Sequence, residues 1–141
     1  MILYKNSKIE IRKSAIHGFG VFAKEDIKEG ELLEECNYAK GIFYGDALDH
    51  VYRWPKRGKD YKYATIPFGF ACVYNCAMST EKKSVNWECD EERDLYIFKA
   101  TKDVAGGEEL LSYYGPQYWI AHEKRKQIKK DIANGIYTNN I

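Results

Sequence analysis

Hydrophobic and polar positions alternate with period two along much of the chain, which predicts short strands. Lys8-Ile9-Glu10-Ile11-Arg12 reads as a half-buried strand, and Asp94-Leu95-Tyr96-Ile97-Phe98-Lys99-Ala100 is the clearest strand of the C-terminal half. Between His17 and Ala23 a glycine loop runs into an apolar stretch. Lys28-Glu29-Gly30-Glu31 reads as a turn, with Leu32 to Cys36 as a following strand. The stretch from Tyr38 to Tyr63 mixes Gly41, Gly45, Pro55 and Gly58 with aromatics and charges, and reads as irregular with one short helical turn. Ala64 to Tyr74 is apolar and expected to be buried. Pro116 and Gly135 bracket a C-terminal helix, with Ala121, Lys124, Ile128 and Ile132 at helical spacing.

An internal echo organises these pieces. Ala23, Asp26, Ile27, Gly30, Glu31 and Leu33 recur as Ala100, Asp103, Val104, Gly107, Glu108 and Leu110, with matching positions 77 apart. Only two copies exist, so the pattern predicts two similar strand–turn–strand units rather than a solenoid.

Composition narrows the classes. The 141 residues fit a single domain, with a core of about 9–115 and a helical tail of about 116–135. Lys+Arg 22 against Asp+Glu 21 gives a net charge of +1, which argues against a dedicated nucleic-acid binder. No apolar run is long enough to span a bilayer and no secretory leader is evident, so an intracellular protein without a membrane partner is expected. Tyr 12, Phe 6 and Trp 3 make an aromatic fraction of 15%, an excess that suits strand packing and polar-tipped pockets alike. Cys36, Cys72, Cys76 and Cys89 show no C-x-x-C pairing, so no metal site is expected, and without a secretory signal disulfides are not expected either. The tail helix carries a +3 charge from Lys124, Arg125, Lys126, Lys129 and Lys130 against Glu123 and Asp131, and reads as a solvated basic face.

Three segments carry candidate chemistry: His17-Gly18-Phe19-Gly20-Val21, Gly69 to Cys76 ending in Tyr74-Asn75-Cys76, and Gly107-Glu108-Glu109-Leu110 running to Tyr113-Tyr114-Gly115. In this order and spacing they resemble the SET domain, the fold of protein-lysine methyltransferases that use S-adenosylmethionine. The resemblance runs from about Ile9 to Trp119. It implies a mostly β (α+β) fold of short strands in several small sheets, with a C-terminal pseudoknot and a C-terminal helix. Carried onto this chain, it implies that His17, Gly18, Phe19, Gly20, Asn75, Cys76 and Tyr114 bind S-adenosylmethionine. The opening glycines would let the backbone approach the cofactor, and Asn75 would hydrogen-bond it.

The same resemblance makes Tyr114, directly before Gly115, the catalytic tyrosine, with Tyr113 as its rival. It leaves Tyr74, Phe98, Tyr113 and Trp119 as candidate walls of the lysine channel, with Trp87 and Tyr96 as further aromatics of that kind. The implied partner is a protein or peptide carrying a lysine, histone-like among the options, and a second copy of the chain is a candidate for completing the groove. Two departures stand out. Asn75-Cys76-Ala77 replaces the usual Asn-His-Ser, and the zinc-binding cysteine cluster after the catalytic tyrosine is missing, so the tail helix would have to close the channel, with Trp119 as a lid. The variant motif also keeps open a SET-fold module that binds without turnover, and a small β-rich interaction domain outside the family is the third reading.

The acidic residues Glu34, Glu35, Asp46 and Asp49, and Glu88, Asp90, Glu91, Glu92 and Asp94, form two clusters. Bordering one groove, they would attract a basic peptide.

Overall fold

The computed structural model describes residues 2–55 and 61–135. Among the described residues ten strands form three small sheets, followed by one long helix. In the first sheet, β1 (Ile9–Lys13) and β2 (Phe19–Ala23) form an antiparallel hairpin, with Ile9 opposite Ala23 and Lys13 opposite Phe19. Strand β10 (Glu109–Ser112) runs antiparallel to β2 and parallel to the two-residue strand β7 (Asn75–Cys76), placing Leu111 opposite Asn75 and Ser112 opposite Cys76. Thus the three motif segments lie on adjacent strands, the junction that the pseudoknot expectation required.

The second sheet has the order β3 (Leu32–Cys36), β9 (Leu95–Ala100), β8 (Val85–Asp90), and the third β4 (Tyr38–Lys40), β6 (Tyr63–Pro67), β5 (Tyr52–Trp54). Four of the twelve tyrosines, Tyr38, Tyr52, Tyr63 and Tyr96, lie where these two sheets meet. Tyr96, fully buried on β9, has ring centroids at 5.5 Å from Tyr38, 5.7 Å from Tyr52, 5.1 Å from Trp54 and 5.4 Å from Trp87, all edge-on. Edge-to-face packing of this kind suits the aromatic quadrupole, and the Tyr96 hydroxyl finds Thr65 Oγ1 at 2.5 Å.

The stretch between Tyr38 and Tyr63, read from sequence as irregular, contains β4, β5 and a 3₁₀ helix, Gly45–His50. Its strands are only three residues long, too short for a periodicity to register. Gly58 lies outside the described residues, as does the side chain of Asp46. Strand β8, absent from the expected elements, nevertheless carries a period-two pattern, Val85, Trp87 and Cys89 alternating with Asn86, Glu88 and Asp90.

The final helix, α1 (Pro116–Ala133), starts on its proline, and Gly135 follows it in a left-handed conformation, φ 74°. It meets the body at the 3₁₀ helix. The contact face is Tyr118, His122 and Arg125. Ala121, Lys124 and Ile132 are exposed, because aromatic and charged groups rather than aliphatics dock this helix. No described helix is long and apolar enough to cross a membrane.

Candidate active site

Two halves meet at the β7–β10 junction. The first is the loop before β2. Ser14 N–H donates to Gly18 O at 2.8 Å, closing a tight turn that Gly18 completes with φ 47°, a left-handed conformation that favours glycine. Asn75, buried on β7, reaches this loop: its Nδ2 donates to His17 O at 3.0 Å, Phe19 O at 3.2 Å and Glu109 Oε2 at 2.7 Å. These surroundings assign the amide, since Oδ1 placed there would face oxygens only. Acceptors outnumber the two amide hydrogens. A cluster of backbone carbonyl and carboxylate oxygens suits a ligand bringing a cationic amine, and the residues present are in that respect of a kind to hold S-adenosylmethionine, whose methionine end carries one. The Phe19 side chain is exposed beside this loop.

Cys76 follows Asn75 and is likewise buried. Its Sγ accepts from Tyr114 N–H at 3.3 Å and donates to Ala77 O at 3.2 Å. The thiol thus ties the backbone of Tyr114 to β7. Burial raises its pKa, with the Tyr114 amide and Trp119 opposing that shift.

The second half is a cavity of about 480 Å³ bounded by the 3₁₀ helix, β5, β8, the chain leaving β10 and the first turns of α1. Tyr52, Trp87, Tyr113, Tyr114 and Tyr118 supply aromatic walls, and Asp49, Arg53 and Arg125 line it with charge. Tyr114 packs edge-on to Tyr118 at 4.5 Å, and its hydroxyl donates to Tyr74 O. The Tyr52 hydroxyl donates to Ala71 O at 2.7 Å. Both hydroxyl protons are therefore committed to backbone carbonyls, which leaves the oxygen lone pairs as acceptors. Burial holds the Tyr114 and Tyr52 hydroxyls well above the ordinary phenol pKa and pushes Tyr118 up to about 12, so all three stay neutral near pH 7. Cys72, also on the wall, is pushed up to about 11 by burial and the nearby Glu34 charge.

The sequence candidates separate accordingly. His17, Gly18, Phe19, Gly20, Asn75 and Cys76 gather at the loop half, and Tyr113 and Tyr114 line the cavity. Tyr74 and Phe98 do not: both are fully buried and stack on each other at 5.5 Å, Phe98 facing the core from β9 and Tyr74 entering it from the loop just before β7. Tyr74 contributes only its carbonyl. Trp119 lies beside Tyr118, at 5.2 Å between ring centroids, outside the cavity wall. Of the further aromatics, Trp87 lines the cavity whereas Tyr96 is core.

Sequence reasoning missed Tyr52, Tyr118, Arg125, Glu109 and Ser14 as site residues, and gave Asp49 only as a member of an acidic cluster. Tyr118 had a signal, four residues beyond Tyr114 at the start of a helix. Tyr52 had none, sitting in a three-residue strand.

Among the described residues the two acidic clusters meet only where Arg93 bridges them, and their charge is largely engaged. Arg93 bridges Glu35 and Asp90, Glu88 pairs with Lys99 at 3.2 Å, Asp94 accepts from the Tyr38 hydroxyl, and Asp49 is held by Arg125. Glu34 is buried, accepting from Phe70 N–H at 3.0 Å with Lys5 Nζ 3.4 Å away. Among the described residues no three His, Cys, Asp or Glu side chains gather as metal ligands.

Comparison with known proteins agrees with this geometry. The SET-domain family profile matches residues 18–115, so the chain belongs to the SET-domain family. Its structure is similar to a Plasmodium falciparum protein classed as a histone methyltransferase, with TM-score 0.63, 26% identity, and coverage of 81% of this chain and 98% of that one. The methyltransferase domain of human PR domain-containing protein 2 follows at TM-score 0.57 and 21% identity, covering 78% of this chain and 79% of that one. A Cryptosporidium SET8 protein superposes at TM-score 0.56 and 20% identity, over 76% of this chain and 57% of that one. No curated protein matches the chain in sequence.

Proposed function

We propose that this chain transfers methyl groups from S-adenosylmethionine to the ε-amine of a protein lysine, with Tyr114 at the point of transfer. The observation that carries this reading is the position of Tyr114. It lines an aromatic cavity while its amide is held by Cys76, the neighbour of the carbonyl-facing Asn75. S-adenosylmethionine would supply a methyl already activated on a sulfonium.

The chain's own residues would handle the amine. A free lysine has a pKa of about 10.4 and is mostly protonated near neutrality. Desolvation between Tyr52, Trp87, Tyr113 and Tyr118 disfavours the ammonium and so favours the nucleophilic amine. With their protons donated to Tyr74 O and Ala71 O, the Tyr114 and Tyr52 hydroxyls would accept through their lone pairs and hold the amine N–H groups. Positioning of this kind converts an encounter into a near-attack geometry. Because burial keeps Tyr114 neutral, it orients the amine and does not serve as a phenolate base.

A histone-like tail is the first substrate class to try, since the Plasmodium relative is classed as a histone methyltransferase. Titration calorimetry with S-adenosylmethionine, followed by mass spectrometry of a lysine-peptide panel, tests the proposal. Saturable binding with methylated lysine is expected. Binding without any methylated product would favour a SET-fold binding module, and no binding would remove the cofactor assignment.

A further inference from the structure

Glycine at position 20 is ordinarily accounted for by a cofactor approaching the backbone. The geometry gives it another occupant. A Cβ built on Gly20 would lie 2.2 Å from Glu109 Oε2, 2.8 Å from its Cδ and 3.0 Å from Asn75 Nδ2. The space is filled from within the protein. By contrast, a Cβ on Gly18 would meet nothing within 4 Å, so Gly18 is glycine for its φ and Gly20 for its vacancy.

The carboxylate lodged there has two tasks. Its Oε2 accepts from Asn75 Nδ2 and its Oε1 from Ser14 Oγ, both at 2.7 Å. The Ser14 oxygen in turn accepts from Ile16 N–H at 2.9 Å and His17 N–H at 3.4 Å. One side chain therefore fixes both the amide orientation of Asn75 on β7 and the turn that carries His17 to Phe19. Pairing on β10, where Glu109 lies opposite Phe22, is what aims it there.

We infer that Glu109 is a positioning residue for the cofactor site, acting through Asn75 and Ser14, and that Gly20 is required to admit its carboxylate. The inference rests on the cofactor reading given above. Without the carboxylate, Asn75 Nδ2 keeps only two neutral carbonyl acceptors and the loop loses its tie to β10. A charge-assisted bond is the stronger kind, so its loss dominates.

The test is a double-mutant cycle on Gly20→Ala and Glu109→Ala, with S-adenosylhomocysteine as the probe, read by calorimetry. Each single substitution is expected to weaken binding on the order of tenfold or more, as loss of a charge-assisted bond does. In the Glu109→Ala background the extra methyl meets no carboxylate. There it should cost no more than about threefold, the remainder being its contact with Asn75, so the losses do not multiply. Glu109→Gln, equal in size with one acceptor oxygen left, should bind more tightly than Glu109→Ala.

Unchanged affinity in Glu109→Ala, affinity in Glu109→Gln no better than in alanine, or a full tenfold cost of Gly20→Ala in the Glu109→Ala background would overturn the inference. The same cycle read by thermal melting without ligand separates the two readings. Wild-type protein that fails to bind the probe would defeat the cofactor reading and Glu109's role with it. Additive melting shifts would defeat the Gly20–Glu109 relation alone.

Discussion

Asp49, in the 3₁₀ helix, accepts a hydrogen bond from Arg125 on α1, a residue 76 positions later in the chain. The same carboxylate oxygen lies 3.2 Å from His122 Nδ1, and the His122 ring stacks on Tyr118 at 5.8 Å. Tyr118 then meets Tyr114 edge-on. The clasp thus connects helix docking to the wall of the cavity.

Asp49→Asn removes the charge without changing the shape. A loss of about 1 kcal/mol is expected, as for a partly exposed ion pair, together with a raised KM for the peptide and unchanged affinity for the cofactor. Burial alone would raise the Asp49 pKa, but the hydrogen bonds from His122 and Arg125 outweigh it and the net shift is downward. A depressed carboxylate pKa contributes stability above the unfolded value, about 3.9, and loses it as pH falls through the folded value. Wild type minus Asp49→Asn melting temperature should therefore be constant near neutrality and shrink below about pH 4. A difference that grows on acidification would contradict the clasp.

Cys76 gives a second prediction. Its sulfur is the acceptor for the Tyr114 amide, so Cys76→Ala leaves that N–H without its partner and should cost about 1 kcal/mol in positioning. Single-turnover methyl transfer should slow severalfold in Cys76→Ala and less in Cys76→Ser, which keeps an acceptor. Equal rates in wild type and alanine would show that the thiol has no such task. Burial also raises the pKa of Cys36, Cys72 and Cys76, so native protein at pH 7.5 should resist iodoacetamide at these positions until it is unfolded.

The internal echo closes on itself. Ile27 and Val104 exchange both backbone hydrogen bonds, each at 2.8 Å. Around them Asp26 Oδ1 accepts from Gly106 N–H at 2.9 Å and Asp103 Oδ1 accepts from Glu29 N–H at 2.8 Å, the same bond displaced by the repeat. Asp26→Ala and Asp103→Ala should therefore destabilise by similar amounts, about 1 kcal/mol each, measured by denaturant unfolding. A cost confined to one of them would mean that the two turns are not equivalent.

That echo explains how far the fold could be read from the chain. Asp26 and Asp103 were visible as matching letters because each turn needs the same oxygen at the same place. The strands Leu32–Cys36 and Leu95–Ala100 were legible because one face of each is core. Tyr52 and Trp54 were not, since three-residue strands carry no period and are held by aromatic contacts to Tyr96 across a sheet boundary. In the site, Asn75 and Tyr114 were marked by motif. Asp49 and Arg125 were hidden because their meeting depends on where α1 docks, a long-range relation with no local pattern. Tyr74 and Phe98 illustrate the converse: aromatic identity suggested a channel wall, but the side of β9 for Phe98 and the path of the loop before β7 for Tyr74 put both in the core.

The most direct measurement is tandem mass spectrometry of lysine peptides after incubation with S-adenosylmethionine, comparing wild type with Tyr114→Phe at matched folding. Wild type should place methyl groups on a lysine ε-amine. The phenylalanine variant should still bind cofactor but lose product on the order of a hundredfold, as expected for removal of an oriented polar group at the reacting centre. Equal methyl incorporation by the two proteins would contradict the role of Tyr114, and methylation on residues other than lysine would contradict the proposed acceptor.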